Sequence, residues 1–178
     1  MSGWRTAEAV LRDHRVRDVL VPGWIDRDDD LPEFRPQPLV VWLRLDGGQG
    51  LLRFASQGQY ARLGVSLVPG VDWADVELLA EAEDEVIVAS CGEQLFGDGR
   101  DELRCTRLRA YRTSAGTDCT CLALDFEGGR TLFLDPTWPF GIKVGNEADE
   151  QRWLKRYGSG GADGGATGSG VGVDSAVL

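Results

Sequence analysis

The segment from Arg104 to Val144 constrains the fold more than any other, because its apolar residues recur at period two between turn signals. In residues 104–111 (RCTRLRAY), alternation puts Thr106, Leu108 and Ala110 on one face and Arg107, Arg109 and Tyr111 on the other. Residues 119–126 (CTCLALDF) repeat the pattern, with Thr120, Leu122, Leu124 and Phe126 opposed to Cys119, Cys121, Ala123 and Asp125. Between this strand and the next, TLFLD, lies EGGR, whose glycines suit the positive φ of a hairpin turn. Pro136 is expected to end the third strand, since proline cannot donate to a ladder. Arg107 and Arg109 are read as charges on a solvated sheet face. If Cys119 and Cys121 are buried on the second face, helices are expected to cover it.

A second hairpin precedes this one. Residues 39–45 and 51–55 form its strands, joined by a glycine-rich turn at 46–50. That turn lacks the GxxxxGK[ST] spacing of a phosphate loop and links two strands, so it reads as a hairpin turn. Further strands are expected at 60–68 and 85–90, with irregular or helical chain from Asp72 to about Glu83. Thr6 is placed to cap a first helix running to about Arg15, after which the chain reaches a stop at Pro22-Gly23. Residues 26–38 carry five acids and three prolines and read as a loop. Asn146, with Asp149 three residues on, marks the start of a last helix anchored by Trp153, Leu154 and Tyr157.

The predicted fold is α+β: a mostly antiparallel, twisted sheet of about 5–7 strands, with short N-terminal and C-terminal helices packed on one face. Residues 1–157 form one such domain, within the usual size range. Residues 158–178 are mostly Gly, Ala, Ser, Thr and Asp, too poor in apolar bulk to offset their ordering entropy, and are expected to be a disordered tail.

The net charge of −10 argues against nucleic acid and anionic membranes as partners and permits a basic protein. The first residues lack a signal-peptide core, and the longest apolar run is LVVWL at 39–43, so a cytoplasmic protein is expected. There the four cysteines, Cys91, Cys105, Cys119 and Cys121, are read as free buried thiols.

Candidate chemistry is sparse. His14 is the one histidine, and no serine lies in a GxSxG pattern, so no catalytic residue is assigned. Asp28, Asp29 and Asp30 are adjacent rather than alternating and lack the glycine and glutamate of a calcium loop. The Cys119-Thr-Cys121 spacing fits neither redox nor zinc chemistry. No metal and no cofactor are therefore expected.

The binding candidates are Asp28, Asp29, Asp30 and Glu33 in one acidic stretch, Asp72 and Asp75 in another, and Trp138 and Phe140 in the stiff segment DPTWPFG. Exposed, the two aromatics would anchor an interface; buried, they would close one end of the core. The leading expectation is a non-catalytic protein-binding domain, monomer or homodimer. In size and charge it resembles small acidic bacterial immunity proteins that occlude a basic partner toxin. The alternatives are a hydrolase using paired carboxylates and an assembly protein dimerising through a sheet edge.

Overall fold

A computed structural model describes residues 3–27, 31–57, 62–77, 85–97, 102–113, 119–139, 141–157 and 171–178. The chain begins with α1 (Gly3–Asp13), β1 (Val16–Asp26), β2 (Glu33–Pro36) and β3 (Val40–Leu45). A 3-10 turn at Asp46–Gly48 leads to β4 (Leu51–Gln57), β5 (Arg62–Val68), α2 (Trp73–Glu77), β6 (Val86–Ser90) and α3 (Gly92–Phe96). Then follow β7 (Cys105–Thr113), β8 (Cys121–Phe126), β9 (Arg130–Trp138), β10 (Gly141–Gly145), α4 (Glu147–Tyr157) and β11 (Val171–Val177).

The fold is α+β and antiparallel, as expected, but the strands form two sheets rather than one. The first contains β1 to β6, and the second runs in the order β10-β9-β8-β7-β11. Alternation in both hairpins creates the interior between them. Val41, Leu43, Leu52 and Phe54 of the first sheet meet Leu108, Ala110, Leu122, Leu124 and Leu134 of the second in one buried cluster. The two predicted hairpins are β3–β4 and β8–β9, and Gly128 and Gly129 adopt φ of 84° and 74° in the second turn.

The helices do not share one face. Helix α1 contributes Trp4, Ala7 and Leu11 to the shared interior and packs on β5 and β7. Helix α2 covers the outer face of the first sheet, where Val76 meets Leu20, Trp42 and Leu51. Helix α4 covers the outer face of the second, where Trp153 meets Tyr111, Cys121, Ala123 and Phe133. Cys119 and Cys121 are buried, so the expectation that helices cover the second face holds for Cys121. Asn146 caps α4: its Oδ1 accepts from the N–H groups of Ala148 (2.9 Å) and Asp149 (3.4 Å), while Asp149 accepts from the Asn146 N–H (3.1 Å).

Several expectations change. Helix α1 starts at Gly3, so Thr6 lies inside it rather than capping it. Strand β1 runs through Pro22 and Gly23, because Pro22 faces β6 at a position that makes no ladder bond, and its carbonyl accepts from Gln37 (2.8 Å) on the other edge. Part of the acidic loop, Glu33–Pro36, pairs with β1 as β2. Strand β9 continues past Pro136, which lies beyond the last residue paired to β8, so its missing N–H leaves that ladder intact. Val171–Val177 is not disordered; it pairs with β7 along its length, while residues 158–170 lie outside the described residues.

Gly141 ties the two sheets together where β10 begins. Its φ is +122°, and a Cβ there would approach the Pro38 carbonyl oxygen to 2.6 Å, next to the Ile142 N–H bond to that same oxygen. Gly141→Ala is therefore expected to destabilise the protein by more than about 1 kcal/mol, read as a lower urea midpoint with an unchanged slope.

Candidate functional site

Among the described residues, two of the charged concavities outside the shared interior are larger than the cleft of about 340 Å³ between Asp135 and Arg156. The first is an ion network on the second sheet. Strand alternation sends Arg109 and Tyr111 outward beneath α4, which brings down Glu150. Arg109 bonds both oxygens of Glu150 (2.7 and 2.9 Å) and both oxygens of Asp125, and the Tyr111 hydroxyl donates to Glu150. Thr131 donates to Asp125 at 2.9 Å. Arg109 is thus not on a solvated face, contrary to expectation. Its side chain is 15% exposed and that of Glu150 is 2% exposed. Arg107 is exposed and bonds Ser175 of β11 at 3.2 Å.

Burial opposes the charge of Arg109, but the bonds and charges of Glu150 and Asp125 prevail and raise its pKa. Burial likewise works to raise the Asp125 pKa, and the hydrogen bonds from Arg109 and Thr131 overcome it and hold the carboxyl below its ordinary value. Every group in this network has a partner within it. A polar groove of about 710 Å³ runs past Arg109, Tyr111, Asp125 and Glu150, yet it offers no unpaired acid from this network to serve as a proton donor or nucleophile.

The second feature is an apolar groove of about 860 Å³ at the side of the sandwich away from α1. Val21, Ile87, Ala89 and Cys91 come from β1, β6 and the residue after it, and Phe34, Pro36 and Pro38 from β2 and its exit. Ile142 and Val144 of β10 face them, with Trp138 at the end of β9. Glu33, Ser90 and Lys143 supply its polar groups. Lys143 is held by Asp149 at 2.9 Å, and Glu33 by Arg35 at 3.0 Å with a side chain that stays 61% exposed.

The expected binding residues fall unevenly on this frame. Glu33 and Trp138 meet at the apolar groove, and Trp138 is half-buried, intermediate between the two alternatives. Asp72 is exposed and accepts from the Ala74 N–H (3.0 Å) at the start of α2. Asp75 is clamped by Arg53 through two bonds of 2.7 Å, so its charge is already balanced within the chain. Asp28, Asp29, Asp30 and Phe140 lie outside the described residues. The strand ends that lead into the two acidic stretches are neighbours: the Ile25 N–H bonds the Glu85 carbonyl at 3.0 Å, and Arg27 pairs with the Glu85 carboxylate.

Of the remaining candidates, Cys91 lines the apolar groove and the others stay apart from both features. His14 Nδ1 lies 3.2 Å from Asp46. All four cysteines are free; Cys105, Cys119 and Cys121 are buried and Cys91 is partly so. Burial pushes the thiols of Cys105 and Cys119 up to about 12. Among the described residues, no group of three or more His, Cys, Asp or Glu could hold a metal ion, and no helix is long and apolar enough to cross a membrane. Comparison of the chain with protein-family models, curated proteins and solved structures finds no match.

Sequence reasoning missed Glu150 and the groove. Glu150 had a signal, since it precedes Trp153 by three residues and Leu154 by four and so shares their helix face. The groove had none, because its walls come from opposite halves of the chain.

Two outcomes follow for the ion network. Arg109→Met strands the Glu150 charge under α4 and is expected to cost about 3–5 kcal/mol in urea unfolding, part of which Glu150→Gln should restore in the double variant. Stability should also fall at both ends of the pH range. Asp125 has a depressed folded pKa, so its contribution is present above about 3.9, the unfolded value, and is lost as pH drops through the folded one. Cys105 and Cys119 have raised folded pKa values, so their contribution is full below about 8.5 and is lost as pH climbs toward 12. Thermal midpoints measured across pH, with and without Asp125→Asn, check both signs.

Proposed function

We propose that the chain is a non-catalytic, acidic protein-binding domain that engages a basic partner protein through the apolar groove around Trp138. The observation that carries this reading is the groove itself: an apolar floor between two sheets, a half-buried tryptophan at its end, and Glu33 on its rim. Large aromatic anchors in such surroundings dominate binding energy at interfaces, and acidic groups around them steer a basic partner into place.

The net charge of −10 supports the sign of the partner. The two acidic stretches of the sequence are attached to strand ends that lie side by side at Ile25 and Glu85. The carboxylate-hydrolase alternative gains no support, because Asp75, Asp125, Asp149 and Glu150 are each paired with a cation of the same chain. In this reading the protein works in the cytoplasm as an immunity-type inhibitor, occluding the active surface of a basic toxin. Asp28, Asp29, Asp30, Asp72 and Phe140 are kept as further candidate contacts of the same partner.

The test is recovery of the tagged protein from its native cells at low and then moderate salt. One stoichiometric basic protein is expected, with less recovered as salt rises. Trp138→Ala should weaken its affinity at least 10-fold, and Glu33→Lys should lower it while flattening the salt dependence. Recovery of the protein alone under both conditions, or a partner indifferent to both substitutions, overturns the reading.

A further inference from the structure

Strand β6 has the sequence VIVAS and carries no charged side chain. It pairs with β1 along one edge, and among the described residues no strand pairs with the other. The direction of its backbone groups follows from the register. Ile25 donates to Glu85 at 3.0 Å and Cys91 donates to Val19 at 2.7 Å, so the pairs 25/85 and 19/91 are hydrogen-bonded ones. In an antiparallel ladder such pairs alternate, which makes 23/87 and 21/89 hydrogen-bonded and 24/86, 22/88 and 20/90 not. Pro22, without an N–H, occupies one of the positions whose backbone groups face away from β6. Val86, Val88 and Ser90 therefore direct their N–H and C=O groups to the open edge.

The side chains alternate in the opposite sense. Val86 and Val88 pack on the outer face beside α2, whereas Ile87 and Ala89 point into the apolar groove. The open edge and the open groove are thus one feature. A strand laid along β6 would gain ladder bonds from three residues and deliver every second side chain into the groove, facing Trp138 and Ile142 across it.

We propose that the partner is bound as an extended segment added to β6, with apolar residues at alternate positions and lysine or arginine between them. The proposal rests on the protein-binding reading above and specifies how the partner is held. Charge decides between the possible occupants. A second copy would bring another net charge of −10 against the first, whereas a basic strand complements it. Natural sheets blunt an open edge with charge, proline or a bulge; β6 has none of these along its five residues, as befits a docking edge.

The probe is the synthetic peptide Lys-Val-Lys-Val-Lys-Val-Lys with the full chain, followed by amide hydrogen exchange and by affinity. On saturation, the Val86, Val88 and Ser90 amides are expected to exchange at least 10-fold more slowly. Val88→Pro removes one outward donor at a position that makes no bond to β1, and should weaken the peptide at least 10-fold while the protein stays folded. A second measurement leaves the protein unaltered: N-methylating the lysine positions or the valine positions blocks one edge of the peptide or the other. One methylated peptide should lose binding and the other keep it.

Salt-sensitive binding that leaves the three amides unprotected and tolerates Val88→Pro and both methylated peptides overturns strand addition while leaving the acidic binding surface standing. Failure of the peptide to bind also overturns strand addition, independently of partner recovery from cells. Protection of β6 that rises with protein concentration in the absence of peptide assigns the edge to a second copy and overturns the basic-partner proposal.

Discussion

Trp42 and Phe133 point away from the interior that the two sheets share, so neither sheet can leave its outer face to water. Burying a large apolar side chain stabilises a fold by about 1.5–3 kcal/mol, and leaving these exposed would forfeit that gain twice. The layering follows from this constraint. Alternating residues of β3, β4, β7, β8 and β9 build the central interior, and the residues between them need separate cover. Helix α2 supplies it on one side and α4 on the other. The price of the second cover is a buried charge, because α4 presents Glu150 together with Trp153, and Arg109 is placed to neutralise it.

That arrangement separates structural charge from surface charge. The acids closest to the sheets are matched by arginines of neighbouring strands, as in Arg53 with Asp75 and Arg109 with Asp125. They stabilise packing and leave little for chemistry. The acidic excess of the chain resides elsewhere, and the apolar groove lies where the two sheets part, with Glu33 at its rim. On the proposed reading, a partner in that groove would leave the Arg53–Asp75 and Arg109–Glu150 pairs in place.

The parts of the fold legible in the sequence are those set within a few residues. The hairpins at 39–57 and 121–138 follow from alternation and turn glycines, and α4 from the Asn146 and Asp149 cap. What sequence could not show depends on pairing across long separations. Pro22 and Pro136 look like strand ends until the partner strands reveal that Pro22 makes no bond to β6 and bonds the β2 side through its carbonyl, while Pro136 lies beyond the residues paired to β8. Arg109 looks like surface because Leu108 and Ala110 are core, and only the docking of α4, forty residues later, changes its surroundings. Of the expected site, Glu33 and Trp138 converge on the groove, while Asp75 is committed to Arg53.

The two sheets treat their edges differently. Strand β11 covers the edge of β7 although none of its residues is buried, and it holds there through ladder bonds, the Arg112–Asp174 pair at 2.8 Å and the Leu178 bond to Thr106 at 3.0 Å. Because β11 belongs to the same molecule, its pairing is a ring closure whose entropy cost grows only with the logarithm of the connecting length. It is therefore indifferent to dilution. A strand from another molecule would have to outcompete a tethered one there.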